Sequence, residues 1–143
     1  FAIGNEAAIK IFSIVKTNTD SGIFKAIQEA SVEALTNSDK YVSAQNDSIW
    51  KKRRDVLVKG LNELGWKLVP PKATFYIWAP VPKDYTSMEF CAEVLEKCGI
   101  IIVPGNGYGP AGEGYFRAAI TVDEKRIKEA IARLKKAGIR YLA

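Results

Sequence analysis

The sequence lacks histidine altogether, and it has no long apolar run. Without histidine the chain cannot carry Ser-His-Asp or Cys-His catalytic groups, and most protein zinc sites are excluded as well. A membrane-spanning helix needs about 20 consecutive apolar residues, and no stretch of this sequence approaches that length. We therefore expect no metal site and no membrane partner.

Cysteine and methionine are also scarce, with two and one residues respectively. Cys91 and Cys98 share one face of a helical pattern at a distance that disfavours a bridge, so we expect reduced, buried thiols in a cytoplasmic protein. Met88 is the only methionine, and the chain opens on the apolar stretch "FAIGN". A domain rarely begins inside an apolar strand, so we expect a fragment of a longer protein.

Length, composition and charge describe an ordinary soluble chain. It has 143 residues, 48% hydrophobic and 26% charged, and a net charge of +5. The sharpest basic patch is the run 51–54, which lies in a helical pattern between Asp47 and Asp55. Because no aromatic residues alternate with these cations, we favour a solvated helix face over nucleic-acid binding.

The first half of the chain has a helical pattern. Asn5 is a suitable N-cap for a first helix, after a strand end at residues 1–3, and a loop is expected at residues 16–22. A second helix is predicted over residues 23–35. A long third helix is predicted over residues 39–64, with Ser38 as its N-cap and Gly65 at its end.

The second half alternates strands with helices, which predicts an α+β fold with a small sheet covered by helices. Strands are expected at residues 66–70, 73–81, 100–105 and 115–122. Helices are expected over residues 87–98, capped by Ser87 and ended by Gly99, and over residues 123–137, begun by Asp123 and ended by Gly138.

The stretch "VPGNGYGPAGEGYFRAAIT" (103–121) holds five glycines, and three of them spell G-x-G-x-x-G. Dinucleotide binding needs a helix directly after such a loop, so that its N-terminus faces the pyrophosphate. Here Gly114 leads instead into "YFRAAITV", which is rich in aromatic and β-branched residues and therefore predicts a strand. The loop is therefore not expected to bind a dinucleotide.

Arg117 is the one charge in this apolar strand. Strand alternation places it on the same face as Tyr115 and Ala119. An arginine among small apolar neighbours needs an anionic partner, and its planar fork matches a carboxylate. That partner is either an acid of the chain itself, such as Glu113 or Asp123, or the carboxylate of a ligand.

The same stretch closely resembles a late signature of the class I/II aminotransferases, the fold-type I pyridoxal-phosphate enzymes. "ATFYIWAPV" is similar to a small-domain strand of that family, and "KTNTDSGIFKAIQEASVEAL" resembles the branch that contains LL-diaminopimelate aminotransferases. The resemblance covers essentially the whole chain in order. The residues that fit the late signature are Pro104, Gly105, Tyr108, Gly109, Gly112 and Arg117.

The resemblance implies the C-terminal part of a homodimeric enzyme. Residues 1–37 correspond to a helical remnant of the large pyridoxal-phosphate-binding domain, and residues 38–143 correspond to a long connecting helix plus the small domain. The Schiff-base lysine of the family lies upstream of this segment. The resemblance therefore implies no catalytic or cofactor-binding residue in this chain, and no activity of the chain alone.

Few residues of this chain correspond to substrate-binding residues of the family. Arg117 corresponds to the arginine that binds the α-carboxylate of an aspartate- or LL-diaminopimelate-like amino acid or a 2-oxo acid. Tyr108 is expected to face that site, and Asn18 to reach the active site of the partner subunit. Phe75 and Tyr76 lie either near the substrate pocket or in the core.

Two other functions remain open at this point. The chain could be a stand-alone α+β module that binds a small carboxylate through Arg117. Alternatively, it could be a basic nucleic-acid-binding domain that uses residues 51–54, in which case binding would depend steeply on salt.

Overall fold

A computed structural model describes residues 2–141 of the chain. The chain divides into two compact units, one ending at Val42 and the other beginning at Ser43. The domain boundary between residues 37 and 38 stays a prediction.

The first unit is helical, with α1 over Glu6–Thr19 and α2 over Lys25–Thr36. Asn5 caps α1 as predicted, because its Oδ1 accepts hydrogen bonds from the amides of Ala7 and Ala8. The strand expected at residues 1–3 is wrong for positions 2 and 3, which have no regular structure, and Phe1 lies outside the described residues.

The loop predicted from residue 16 begins later, because α1 continues to Thr19. Thr17, Asn18 and Thr19 lie in the last turn of α1, and each donates a side-chain hydrogen bond to the carbonyl four residues earlier. Asn18 therefore lies in a helix rather than in a loop, and its Nδ2 donates to the Ile14 carbonyl at 2.7 Å.

Neither α1 nor α2 buries a residue within this chain. The apolar side chains of both helices are exposed, among them Ile11, Phe12, Val15, Phe24, Val32 and Leu35. So much exposed apolar surface is unusual for a complete soluble domain and is typical of a surface that packs against more protein.

The predicted long helix is present. It consists of α3 (Ser38–Gln45), a π-helical turn (Asn46–Trp50) and α4 (Lys51–Glu63). Gly65 follows the helix with a φ of +105°, as expected of a terminating glycine. Ser38 is the first residue of α3 rather than its cap, because α2 ends at Thr36 and only Asn37 separates the two helices.

The second unit holds a three-stranded antiparallel sheet, whose strands are β1 (Tyr76–Pro80), β2 (Val103–Pro104) and β3 (Tyr115–Ala119). The order in the sheet is β1-β3-β2, so the central β3 pairs with both neighbours. Arg117 lies opposite Trp78 of β1 and Val103 of β2.

The strand predicted over residues 66–70 is absent, and the other three predicted strands are longer than those observed. Residues 66–70 form no strand, because the Asn62 side chain binds both the amide and the carbonyl of Leu68, at 2.8 and 3.0 Å. Residues 100–102 leave the sheet as well, and only positions 103 and 104 pair with β3. Ile101 is exposed there, so the apolar run does not form a buried strand.

Helices α5 (Ser87–Cys98) and α6 (Glu124–Lys136) contribute side chains to the same buried core as the sheet. The cap of α5 is Thr86, which forms a capping box with Glu89, and the prediction of Ser87 was wrong by one position. Gly99 ends α5 in the left-handed conformation. Asp123 caps α6, and Gly138 follows that helix with a φ of +74°, both as predicted.

Trp66 lies in the middle of the core that these elements enclose.

Cys91 and Cys98 are buried free thiols, and burial raises the pKa of Cys91 to about 11. Within the described residues, no helix has the length and apolarity to cross a membrane, and no three His, Cys, Asp or Glu side chains converge on a metal-sized site. The predicted α+β fold is confirmed.

Candidate functional site

The glycine loop, residues 105–114, consists of two short 3-10 turns that fold back on each other. Gly105 and Gly112 are in backbone contact: a Cβ on Gly112 would lie 2.0 Å from the Gly105 carbonyl oxygen, and a Cβ on Gly105 would lie 2.1 Å from that of Gly112. Only glycine fits at either position. As predicted, the loop leads into strand β3 and not into a helix.

We expect Gly112→Ala to lower the free energy of unfolding by about 1–3 kcal/mol, because neither of the two backbone segments has room to move away. Gly107→Ala is the matched control, since its Cβ would meet no atom within 4 Å. Urea unfolding followed by circular dichroism measures both variants. Equal stability of the two variants would contradict the close contact.

Glu113 connects the loop to the start of α5. Its carboxylate accepts hydrogen bonds from the amide of Ser87 at 2.7 Å, the amide of Gly114 at 3.1 Å and the Nδ2 of Asn106 at 2.7 Å. Ser87 is fully buried, and its Oγ accepts a hydrogen bond from the Tyr115 amide. The loop is therefore attached to both α5 and β3.

These hydrogen bonds, first of all the one from the Ser87 amide, lower the pKa of Glu113 from its ordinary value of 4.5. A lowered folded-state pKa contributes stability above pH 4.5, and that contribution is lost as the pH falls through the folded-state value. We expect wild type to be more stable than Glu113→Gln at pH 7 and to lose that advantage on acidification. Urea unfolding from pH 7 to pH 3 tests this, and a difference that grows on acidification would contradict it.

Arg117 lies on the half-exposed face of β3, as the alternation predicts. Its guanidinium carbon is 4.0 Å from the ring centre of Tyr76 and 4.6 Å from that of Tyr108. Tyr76 comes from β1 and Tyr108 from the glycine loop, so the two rings reach the cation from different elements. Such cation–π contacts favour a fixed, charged guanidinium.

Within residues 2–141, Arg117 forms no ion pair, and its Nε is buried without a hydrogen-bond partner. Glu113 binds the start of α5, and Asp123 accepts from the amide of Arg126 at the start of α6. Glu113 and Asp123 were both candidate partners from the sequence, but in the structure neither of them pairs with Arg117. An arginine that is partly desolvated and unpaired fits an anion from outside these residues.

Trp78 completes the arrangement, and the sequence analysis missed it. Its ring lies 6.0 Å from that of Tyr108, edge to face, and is stacked on Tyr115 at 5.7 Å. Trp78 is two residues after Tyr76 on the same strand, so β alternation alone places both on one face. We call Tyr76, Trp78, Tyr108, Tyr115 and Arg117 the Arg117 cluster.

The other two predicted residues, Phe75 and Asn18, are not members of the Arg117 cluster. Phe75 is partly exposed and packs on Trp50 and Tyr76, with ring centres at 5.8 and 4.6 Å, so it lies beside the cluster rather than in the core. Asn18 belongs to the first unit, whereas Arg117 belongs to the second.

Two residues of the basic run 51–54, Arg53 and Arg54, are engaged within the chain. Arg54 pairs with Asp55 and donates to the Pro71 carbonyl, and Arg53 donates to the Thr121 carbonyl. The loss of these donors to internal contacts disfavours a nucleic-acid surface.

A sequence model described as "Aminotransferase class I and II" matches residues 1–134. The chain belongs to this family. Among curated aminotransferases, LL-diaminopimelate aminotransferase 2 of Nostoc sp. is 55% identical over 141 residues, which cover 99% of this chain and 36% of the relative. LL-diaminopimelate aminotransferase of Gloeobacter violaceus is 51% identical over 142 residues, with the same two coverages.

Solved structures of the family are similar to this aminotransferase chain. Apo-BacF from Bacillus subtilis has a TM-score of 0.86 and 28% identity, and covers 99% of this chain and 36% of its own. L,L-Diaminopimelate aminotransferase from Chlamydomonas reinhardtii has a TM-score of 0.73 and 30% identity over 85% of this chain and 30% of its own. The aminotransferase chain thus spans 36% of the length of the curated relatives named above.

The family implies pyridoxal phosphate as cofactor. The Arg117 cluster combines one guanidinium with four aromatic rings and contains no lysine, so it offers no amine to the cofactor's aldehyde. These residues do not fit the covalent site of pyridoxal phosphate. Their unpaired cation fits a carboxylate instead.

Proposed function

We propose that this chain is part of a pyridoxal-phosphate-dependent LL-diaminopimelate aminotransferase, which moves an amino group between its amino acid and a 2-oxo acid. The observation that carries the proposal is the unpaired, ring-flanked Arg117 on the sheet of an aminotransferase fold. The choice of amino acid rests on the 55% and 51% identity to LL-diaminopimelate aminotransferases.

In this function Arg117 binds the α-carboxylate of the substrate through two parallel hydrogen bonds. A carboxylate fixed in this way places the rest of the substrate at a defined distance and angle, and this orientation is the contribution of the chain to the rate. Tyr108, which contacts Arg117 and is partly exposed, lies beside the bound substrate.

The remaining parts of the active site belong to the longer protein. Its cofactor-binding lysine lies outside this chain, and the chain alone has no aminotransferase activity. The longer protein is a cytoplasmic homodimer in which Asn18 contributes to the partner's active site. The exposed apolar side chains of α1 and α2 pack on the rest of the large domain.

The alternative, a stand-alone module that binds a small carboxylate, is not favoured. The aligned relatives match 99% of this chain with only 36% of their own length, so the matching segment is there part of a longer protein. The alternative would need Arg117 to act without the other two-thirds of such an enzyme.

A donor panel tests the proposed function in the purified longer protein with pyridoxal phosphate and 2-oxoglutarate. We expect LL-diaminopimelate to give the highest kcat/KM among LL-diaminopimelate, aspartate and phenylalanine, and the 143-residue chain alone to give no turnover. A higher kcat/KM with phenylalanine or aspartate than with LL-diaminopimelate would reject LL-diaminopimelate as the preferred substrate. Activity of the chain alone would reject the proposal that the cofactor-binding lysine lies outside this chain.

A further inference from the structure

We propose that Asn106 and Glu113 are positioning residues, whose hydrogen bond fixes Tyr108 and, through Tyr108, the guanidinium of Arg117. The inference rests on the proposed function, because it takes Arg117 as the substrate-binding group. It adds two polar residues of the glycine loop that set substrate affinity through their effect on the Arg117 cluster.

The carboxylate of Glu113 connects two parts of the molecule. Its Oε1 accepts hydrogen bonds from the amides of Ser87 and Gly114, at 2.7 and 3.1 Å. Its Oε2 accepts a hydrogen bond from Nδ2 of Asn106, at 2.7 Å. An ionised carboxylate accepts at both oxygens and donates at neither, so Glu113 binds the start of α5 and the first turn of the glycine loop at the same time.

Ser87 anchors this connection in the core. Its side chain is fully buried, and its Oγ accepts a hydrogen bond from the Tyr115 amide at 3.1 Å. Tyr115 is the first residue of β3 and lies two residues before Arg117. Glu113 therefore holds the turn that contains Asn106 against elements that also determine where Arg117 lies.

Tyr108 is the residue through which this turn meets Arg117. Asn106 and Tyr108 belong to the same 3-10 turn, Gly105–Tyr108, and the Tyr108 ring centre is 4.6 Å from the guanidinium carbon. Because Tyr108 is 53% exposed, little packing holds its side chain, and its position depends on the backbone of the turn. Without the bond between Asn106 and Glu113, we expect the turn and the Tyr108 ring to become more mobile.

A mobile Tyr108 would leave Arg117 with one ring fewer to hold its side chain. Substrate binding must then also order the arginine, and this ordering lowers the affinity. The effect falls mainly on KM and less on kcat, because the contact of Arg117 with the carboxylate is the same once it has formed. Both the amino acid and the 2-oxo acid carry an α-carboxylate, so the KM values of both should rise by a similar factor.

A swap of donor and acceptor tests the hydrogen bond in the longer protein. Asn106→Asp places a second carboxylate against Glu113, and we expect it to raise KM about 3- to 10-fold for LL-diaminopimelate and for 2-oxoglutarate. Adding Glu113→Gln restores an amide–carboxylate pair in the reverse direction, with the net charge of wild type. This double variant should return KM to within about twofold of wild type. A double variant as impaired as Asn106→Asp would overturn the proposal.

A double-mutant cycle tests the route through Tyr108. In a Tyr108→Ala background the turn no longer carries the ring, so Asn106→Asp should change KM by less than about 1.5-fold. An increase in that background equal to the increase in wild type would show that Asn106 acts independently of Tyr108. That result would overturn the positioning role.

Asn37 offers a matched control, because its Nδ2 also donates to a glutamate, at 2.9 Å from Oε1 of Glu33. Asn37→Asp makes the same change of charge at the end of α2, in the first unit. It should leave KM within about 1.5-fold of wild type. A rise equal to that of Asn106→Asp would assign the effect to net charge and overturn the proposal.

The outcomes separate this inference from the proposed function. If Arg117→Ala strongly lowers kcat/KM while Asn106→Asp behaves as wild type, the inference fails and the proposed function stands. If Arg117→Ala has no effect, the proposed function fails and the inference fails with it. All kinetics are measured at a temperature at which melting curves show each variant to be folded. Asn106→Ala, which removes the donor without adding a charge, should give a similar rise in KM and replaces Asn106→Asp if that variant does not fold.

Discussion

Replacing Arg117 with alanine in the longer protein should lower kcat/KM about 30- to 4000-fold. The estimate follows from the loss of one partner of a hydrogen-bonded charge pair, which costs about 2–5 kcal/mol, at about 1.4 kcal/mol per factor of ten. The substrate would lose both its electrostatic partner and its fixed orientation. Steady-state kinetics with LL-diaminopimelate and 2-oxoglutarate measures the effect.

Arg117→Lys is the matched control, because it keeps the positive charge and loses the planar fork. We expect the lysine variant to recover only part of the lost kcat/KM. Arg53→Ala is a second control, since Arg53 is also an arginine of this unit but donates to the Thr121 carbonyl. A loss of less than about threefold in Arg117→Ala would contradict the carboxylate role.

Replacing Trp66 with alanine should give the largest loss of stability, about 3–5 kcal/mol. Trp66 is 2% exposed and contacts the rings of Phe90, Phe116 and Tyr141. Its Nε1 also donates a hydrogen bond to the Pro80 carbonyl at 2.8 Å, at the end of β1. Alanine would leave both a cavity and an unpaired carbonyl.

Trp66→Phe separates these two effects, because it keeps an aromatic ring in the core and removes only the hydrogen bond and part of the volume. We expect it to lose less than half of what the alanine variant loses. Urea unfolding of the chain gives both values, provided that the slope with denaturant is unchanged. An alanine variant within 1 kcal/mol of wild type would show that Trp66 is not in a packed core.

The face of the sheet that holds Arg117 could be predicted from sequence, because strand alternation depends only on neighbouring residues. The contacts of Arg117 could not be derived from the residues alone: the family resemblance implied that Tyr108 faces the site, and it left Tyr76 open between the substrate pocket and the core. Tyr76 meets Arg117 only once the register between β1 and β3 is fixed, and these strands are far apart in the chain. Glu113 is adjacent to the site in sequence and yet binds the start of α5, so closeness in sequence suggested the wrong partner.

The errors in secondary structure have similar causes. Residues 66–70 have the composition of a strand, but the side chain of Asn62 uses the backbone groups of Leu68 that a strand would need. Composition does not report such a contact. Helix α1 extends past its apolar pattern to Thr19, and the hydroxyls of Thr17 and Thr19 donate hydrogen bonds back to carbonyls of the same helix. By contrast, glycines that end helices were placed correctly at positions 65, 99 and 138, since a positive φ favours glycine wherever it occurs.

The most direct test of the central claim is a crystal structure of the longer protein with a bound substrate carboxylate. The proposal requires both carboxylate oxygens to lie about 2.7–2.9 Å from Nη1 and Nη2 of Arg117, with the rings of Tyr76 and Tyr108 beside the guanidinium. A carboxylate bound to a different cation, with Arg117 paired to an acid of the protein, would contradict it.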